Sequence, residues 1–522
     1  MLTTTVAAAL AAAWLGVQQD RPTEEQLFGA PAQEAPPAQA KPAPEQKPGA
    51  QQGGEEQRPS EEEIFGGSRS RAAEPTPPEA IERAAEAEPL RIGGLIYLRA
   101  QTLWQEGESP RDWFLSSPNL TDLYLDVRPN DRVRGFVLGR LFYDPTIVTG
   151  GSASAGAATL APPITIAGLG SVQPTSNPYG VLDQLWITSD IGRTVFVTAG
   201  RQHVKWGVGR FWNPTDYLHP IRRDPLAVFD VRTGSSMVRL QLPWEARGWN
   251  LYGVAMAEDV AGAPIPVNTL GRVAWGGRAE AVLGTVELGA DALVQQDHRP
   301  RFGVDASAGI WDLDVYAEAA LRTGTDFPRW REVNPAATLL GGRYAAFQPQ
   351  GFTPFVVAGG TWTIKYSDED SLTLGAEYAW NEVGYTDPAI YPFLVAGAPT
   401  LTGNPLNPVV QQDTHAYRPF YLGRQYAAAF VALPKPGRWN NTDFTLSVLG
   451  NLSDRSFVAR LDHSVLVLTY LRLETFVAAS FGHAGGEFRL GFDIPAAQIP
   501  APTGISVPLP VLQLGIAARV SL

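Results

Sequence analysis

The sequence predicts an all-β fold: a transmembrane antiparallel β-barrel of about 18 strands (16–18), behind a disordered N-terminal leader. Three observations predict it. Apolar and polar residues alternate with period 2 in one segment after another from Arg91 to Leu522. The chain is rich in Gly (52), Trp (14), Tyr (16) and Phe (22), yet its mean hydropathy is slightly negative. No run of roughly 18 apolar residues occurs, so no helix is available to cross a bilayer. Strands with one face in lipid and the other in water give this profile.

At the N-terminus, Val6 to Leu15 form a short apolar core, the outline of an export signal over residues 1–19. Its basic start is missing, since the first cationic residue is Arg21. Residues 20–90 are a Pro/Ala/Glu/Gln tract that buries too little apolar surface to offset chain entropy, and it is expected to be disordered in the periplasm. Residues 1–90 carry 15 acidic and 7 basic side chains, much of the net charge of −12. Within the tract, Arg21-Pro22-Thr23-Glu24-Glu25-Gln26-Leu27-Phe28-Gly29 recurs as Arg58-Pro59-Ser60-Glu61-Glu62-Glu63-Ile64-Phe65-Gly66. Each copy has the cap, the Glu/Gln and the closing Gly of a one-turn helix. Leu27-Phe28 and Ile64-Phe65 are candidate anchors for a periplasmic partner; a duplicated linker is the alternative.

Residues 91–522 form the barrel domain. The alternation places strands over 91–105, 119–128, 133–143, 180–190, 194–207, 235–243, 247–258, 270–283 and 285–296. It continues over 299–310, 312–325, 352–367, 371–384, 423–433, 440–453, 456–469, 471–484 and 510–522. Leu123, Leu125 and Val127 oppose Tyr124, Asp126 and Arg128, and Val315, Ala317 and Ala319 oppose Asp314, Tyr316 and Glu318. The apolar set is expected to face lipid and the polar set a wet lumen. An arginine at Ala317 should therefore be harmful, and one at Glu318 tolerated. Short connections alternate with mostly longer ones, as periplasmic turns and external loops would. Trp104, Trp206, Tyr252, Trp380, Trp439 and Tyr470 lie near strand ends, where aromatic girdles are expected.

The segment from 194 to 234 stands apart. Extended backbone would put Arg201, His203 and Lys205 in a row on one face, a basic ladder toward the lumen. Gly207 and Gly209 allow a sharp exit from the strand, and Pro214, Pro220 and Pro225 stiffen the loop beyond them. From Arg201 to Arg232 the fixed charges are Arg201, Lys205, Arg210, Arg222, Arg223 and Arg232 against Asp216, Asp224 and Asp230, an excess of three positive. Cations at a constriction concentrate anions. The competing reading is that Arg222, Arg223 and Arg232 pair with these aspartates and pin the loop. The candidate pore-constriction residues are Arg201, His203, Lys205, Arg210, Asp216, Arg222, Arg223, Asp230 and Arg232.

The stretch Gly200-Arg201-Gln202, Trp206-Gly207, Gly209-Arg210-Phe211-Trp212-Asn213-Pro214-Thr215-Asp216-Tyr217-Leu218, Asp224-Pro225-Leu226 resembles bacterial outer-membrane porin-like channels of the alginate-export and phosphate-selective porin type. The resemblance covers this part of the chain alone. It implies that the third external loop folds inward and narrows a pore. The alternating Leu512, Leu514, Ile516, Ala518, Val520 and Leu522 resemble the terminal strand that the barrel-assembly machinery recognises, although Leu522 stands where an aromatic is usual.

Other classes find little support. There is no cysteine, which excludes disulfides, thiolate metal sites, a cysteine nucleophile and a lipoprotein anchor. An acidic chain is a poor nucleic-acid binder. The histidines at 203, 219, 298, 415, 463 and 483 have no zinc spacing, and neither a G-x-S-x-G elbow nor a P-loop occurs. No cofactor or catalytic residue is assigned. The expected function is an outer-membrane channel for small, anionic solutes; the alternative is a structural or adhesive barrel whose leader docks a periplasmic partner.

Overall fold

A computed structural model describes residues 89–146, 177–219, 222–230, 232–260, 267–326, 328–368, 370–395, 420–498 and 504–522. The export signal, the leader as far as residue 88 and both of its repeats lie outside these residues, and Leu90, expected to close the leader, opens the first strand.

Residues 90–521 form a closed antiparallel barrel of 18 strands. The first six are β1 (Leu90–Gln105), β2 (Asn119–Asn130), β3 (Val133–Tyr143), β4 (Tyr179–Ile191), β5 (Val195–Gln202) and β6 (Ser235–Trp244). Next come β7 (Trp249–Met256), β8 (Ala274–Leu283), β9 (Val286–Val294), β10 (Arg301–Ile310), β11 (Leu313–Arg322) and β12 (Phe355–Lys365). The last are β13 (Ser371–Asn381), β14 (Gln425–Pro434), β15 (Thr442–Asn451), β16 (Ser456–Leu468), β17 (Leu471–Gly482) and β18 (Pro510–Ser521). Each pairs with its neighbours in sequence, and β18 pairs with β1 from Leu95↔Ser521 to Gln105↔Pro510, which leaves the barrel no free edge. The strands run 8 to 16 residues, and all but β5 and β7 reach the roughly 9–11 residues that cross a hydrocarbon layer when tilted.

The period-2 pattern makes the wall two-faced. Ile92, Leu98, Leu123, Ile187, Leu288, Val304 and Ile516 are exposed on the outside. Their neighbours Arg99, Asp122, Asp126, Arg134, Asp305, Glu318 and Gln513 are buried inside. Apolar outside and charged inside inverts the arrangement of a water-soluble protein. Inward charges are paired: Asp126 holds Arg134 of the next strand (2.9 Å) and Arg128 of its own (2.9 Å), and Arg278 reaches across to Asp305 (2.6 Å) and Asp291 (3.1 Å).

Connections at one end are at most seven residues, and at the other they run from 4 to 43. Exposed aromatics mark both levels. Trp244, Trp311, Trp362, Trp439 and Tyr470 circle the short-turn end, and Tyr143, Trp275, Phe302, Tyr378 and Phe481 the long-loop end. Two of the expected girdle residues are elsewhere. Trp206 is buried in the core, and Tyr252 pairs in register with the inward Arg278. Over 194–207 the expected strand is also too long: pairing with β6 ends at Gln202, because the chain turns into the barrel there.

Candidate functional site

The connection from β5 to β6, residues 203–234, leaves the wall and crosses the interior. Gly207 makes the turn with φ +83°, where a Cβ would lie 2.3 Å from Thr215 Oγ1 and 2.5 Å from Glu318 Oε2. The loop then meets two carboxylates on strands about half-way round the ring from β5. Glu318 on β11 accepts from the backbone N–H groups of Val208 (2.8 Å), Gly209 (2.7 Å) and Thr215 (2.9 Å), and from the Thr215 hydroxyl (3.0 Å). Glu377 on β13 accepts from the N–H groups of Arg210 (2.7 Å), Phe211 (3.1 Å) and Trp212 (2.8 Å), and from the Tyr316 hydroxyl (2.7 Å). Backbone amides without a helix or sheet to satisfy them are thus paired by the far wall. Fully buried Trp212 donates its indole N–H to the Phe420 carbonyl (2.8 Å) and packs on Tyr426, while Phe211 packs on Phe430.

The return limb sweeps along the other wall. The Leu226 carbonyl accepts from Arg460 Nη1 on β16 (3.1 Å), and Phe229 meets Tyr97 of β1 edge-on at 4.7 Å. The Asp230 carbonyl accepts from Arg140 Nη1 on β3 (3.1 Å). Loop 203–234 therefore touches wall strands on all sides, and the third long loop folds inward as expected. Between the return limb and β15–β18 lies a cavity of about 100 Å³ lined by Arg460, Asp462, Arg472, Glu474 and Arg519 among others.

Where the loop rejoins the wall, a β-bulge matters. Pairing of β4 with β3 shifts between Leu138 and Gly139, which leaves Asp183 as the extra residue. Asp183 and Gln184 therefore both point inward. Asp183 faces Arg140 Nη2 (3.4 Å), accepts from the Gly234 N–H (3.2 Å), and lies 2.9 Å from His203 Nε2. His203 Nδ1 is 3.1 Å from His219 Nε2, and His219 Nδ1 is 2.9 Å from Asp216. Arg232 bridges Asp216 (2.9 Å) and Asp230 (2.6 Å). Burial pushes the Asp216 carboxyl up, but His219 and Arg232 outweigh it and hold it below the usual carboxylate range. Asp230 is likewise held far down by Arg232 despite its burial.

The structure sorts the nine predicted residues. His203, Asp216, Asp230 and Arg232 come together in this network. Arg210 lies over the Phe430 ring at 4.2 Å, and Arg222 donates to the carbonyls of Asn213 and Pro214 (3.0 and 3.2 Å). The Arg223 carbonyl accepts from Tyr421 (2.8 Å), and Lys205 is exposed with Nζ 3.4 Å from the Gly209 carbonyl. Arg201 is the correction. It pairs in register with outward Leu185, donates to the Gly234 carbonyl (2.7 Å) and sits 3.6 Å from Glu258, on the outer face of the wall at the rim. No basic ladder forms, because inward Thr198 and Gln202 fix the parity of β5. The pinning of the loop by its own aspartates holds for Arg232.

Glu318, Glu377, Asp183, Arg140 and the role of His219 are not among the residues that alternation and spacing single out. Asp183 had a signal. Leu182 and Leu185 both face out although they are three apart, so two consecutive polar residues stand where alternation allows one.

A scan against protein-family models finds no match, and no curated protein matches. Among solved structures, the chain is similar to Acinetobacter baumannii OccAB1, at 9% identity over 83% of this chain and 97% of that one, with a TM-score of 0.46. A BenF-like porin from Pseudomonas fluorescens Pf-5 shares 11% identity over 83% and 99%, with a TM-score of 0.44. A mutant of the Rh. blastica porin shares 11% over 83% and 100%, with a TM-score of 0.36.

Proposed function

We propose that the chain is an outer-membrane channel through which small polar solutes diffuse, narrowed by loop 203–234. One observation carries the reading: a closed barrel with an apolar belt outside, charged side chains inside, and a long loop docked across the interior. Apolar strands facing outward have no role in water, and an interior lined with paired charges has none in a dry core. The short turns lie on the periplasmic side, and β18 presents the terminal strand to the assembly machinery. The leader, in the periplasm, offers Leu27-Phe28 and Ile64-Phe65 to a partner.

Anions are the favoured class. With Arg201 on the outer face, the loop still holds Lys205, Arg210, Arg222, Arg223 and Arg232 against Asp216, Asp224 and Asp230, an excess of two positive. A modest excess in a narrow, poorly screened passage biases traffic without selecting one solute. Purified protein in a planar bilayer should conduct, and its reversal potential in a salt gradient should favour anions. Replacing Lys205 and Arg222 with Glu should move that potential toward cations, whereas Arg201→Glu should leave it in place. Failure to conduct rejects the channel; no shift with Lys205 and Arg222 rejects the selectivity.

A further inference from the structure

Four groups in a row join the loop to the wall: Asp183 Oδ1, the two rings of His203 and His219, and Asp216 Oδ1, at successive separations of 2.9, 3.1 and 2.9 Å. The hydrogen positions are dictated by what each end can do. Asp183 also faces Arg140 and accepts from the Gly234 N–H, and Asp216 accepts from Arg232. Both are ionised carboxylates, which accept only. The nitrogens they face, His203 Nε2 and His219 Nδ1, must therefore carry hydrogens. A neutral imidazole has a single N–H, so with those two placed, His203 Nδ1 and His219 Nε2 would meet at 3.1 Å as two lone pairs. The contact holds only with a third proton between them.

We propose that His203 and His219 share one proton as an imidazole–imidazolium pair, a clasp that fastens the inner limb of the loop to β4 and lets go as pH rises. The surrounding charge agrees. Asp183 and Arg140 face the pair from the wall, with Asp122 on the far side of Arg140. Asp216, Asp230, Arg223 and Arg232 face it from the loop. Four carboxylates thus meet three guanidiniums, and the shared proton completes the balance. The direction of the linkage is set by the proton count. The fastened loop holds one proton more than two neutral rings carry, so fastening takes up a proton, is present at low pH and is lost as pH climbs.

Histidine-selective ¹⁵N NMR of the full chain in detergent micelles, titrated from pH 5 to 9, tests the clasp without relying on the channel reading. The signals of the two rings should move together with one apparent midpoint. His203→Gln and His219→Gln should each remove the joint step, and the double variant should add nothing. Two independent curves, with His203 titrating unchanged in His219→Gln, would overturn the proposal; the wild-type titration decides alone if a variant does not fold. The consequence for transport rests on the channel reading. Single-channel current noise should grow several-fold above the midpoint in the wild type and be pH-independent in His203→Gln. Noise that rises with pH as much in His203→Gln as in the wild type would also overturn the clasp. A protein that passes no current at all would reject the channel and leave the NMR result standing.

Discussion

Glu318 and Glu377 show how much position one side chain can hold. Each is a buried carboxylate whose oxygens are met by main-chain N–H groups from a segment more than 100 residues away in sequence. Glutamine would keep the shape but turn an NH₂ toward donors that need an acceptor. A hydrogen bond to a charged group is worth about 1.5–3 kcal/mol net, and a stranded buried donor costs about 1–3 kcal/mol. Glu318→Gln should therefore weaken local docking by about 2 kcal/mol, and amide exchange at Val208, Gly209 and Thr215 should quicken about 30-fold. Unchanged exchange would show that the glutamate is a bystander. The expectation that inward polar positions tolerate change fails here: alternation tells which way Glu318 points, and nothing in it tells what arrives from β5 to meet it. The same limit hid Glu377. The bulge at Asp183, by contrast, was legible as a stutter in the period.

At the level of strands, nearly everything was legible in the sequence, because each strand settles its own two faces. Ala317 and Glu318 are neighbours with opposite fates. Ala317→Arg puts a charge against lipid near mid-strand, at a cost of about 2–4 kcal/mol, and should lower the yield of folded barrel in refolding into vesicles. A variant that refolds like the wild type would mean that β11 faces the other way. The errors in strand limits cluster where something else competes with pairing. β5 ends at Gln202 instead of Gly207 because its next residues are claimed by Asp183 and by the interior. The expected ladder of Arg201, His203 and Lys205 presumed an inward Arg201 and extended backbone as far as Lys205, and neither holds. Loop 203–234 was legible as inward only through its resemblance to channel loops. Its glycines and prolines are equally compatible with an outward excursion.

Across the whole molecule, the long connections at one rim are tied to each other by titratable groups. Glu487, in the connection between β17 and β18, accepts from the Tyr426 hydroxyl (2.6 Å) and the Asn451 side chain (2.7 Å). Its own N–H donates to Asp454 (2.8 Å), which also takes the Tyr391 hydroxyl (3.0 Å). Burial, with Asp454 beside it, pushes the Glu487 carboxyl up to about 8. In an unfolded chain it would titrate near about 4.3, so the folded rim holds the extra proton between these values. Its contribution is full at acid pH and lost as pH rises through about 8. Trypsin should then cut at Arg489 faster at about pH 9 than at about pH 7, after correction with a free peptide substrate, and Glu487→Gln should remove the difference. Equal sensitivity in the variant would place the cause elsewhere. His298, raised to about 9 through Asp259 and Asp326, ties neighbouring connections with the same sign.

The register of β1 against β18 has one more consequence. Leu90 and Ser521 belong to hydrogen-bonded neighbours at the short-turn rim, so the first and last strands of the barrel are joined by a ladder of main-chain bonds. Until β18 pairs with β1, the sheet has two unpaired borders. Once the circle is shut, however, no strand is geometrically the first. A peptide bridge from 521 to 90 and a cut between Trp311 and Asp312 would describe the same circle from another starting point, with its numbering rotated and its two surfaces untouched.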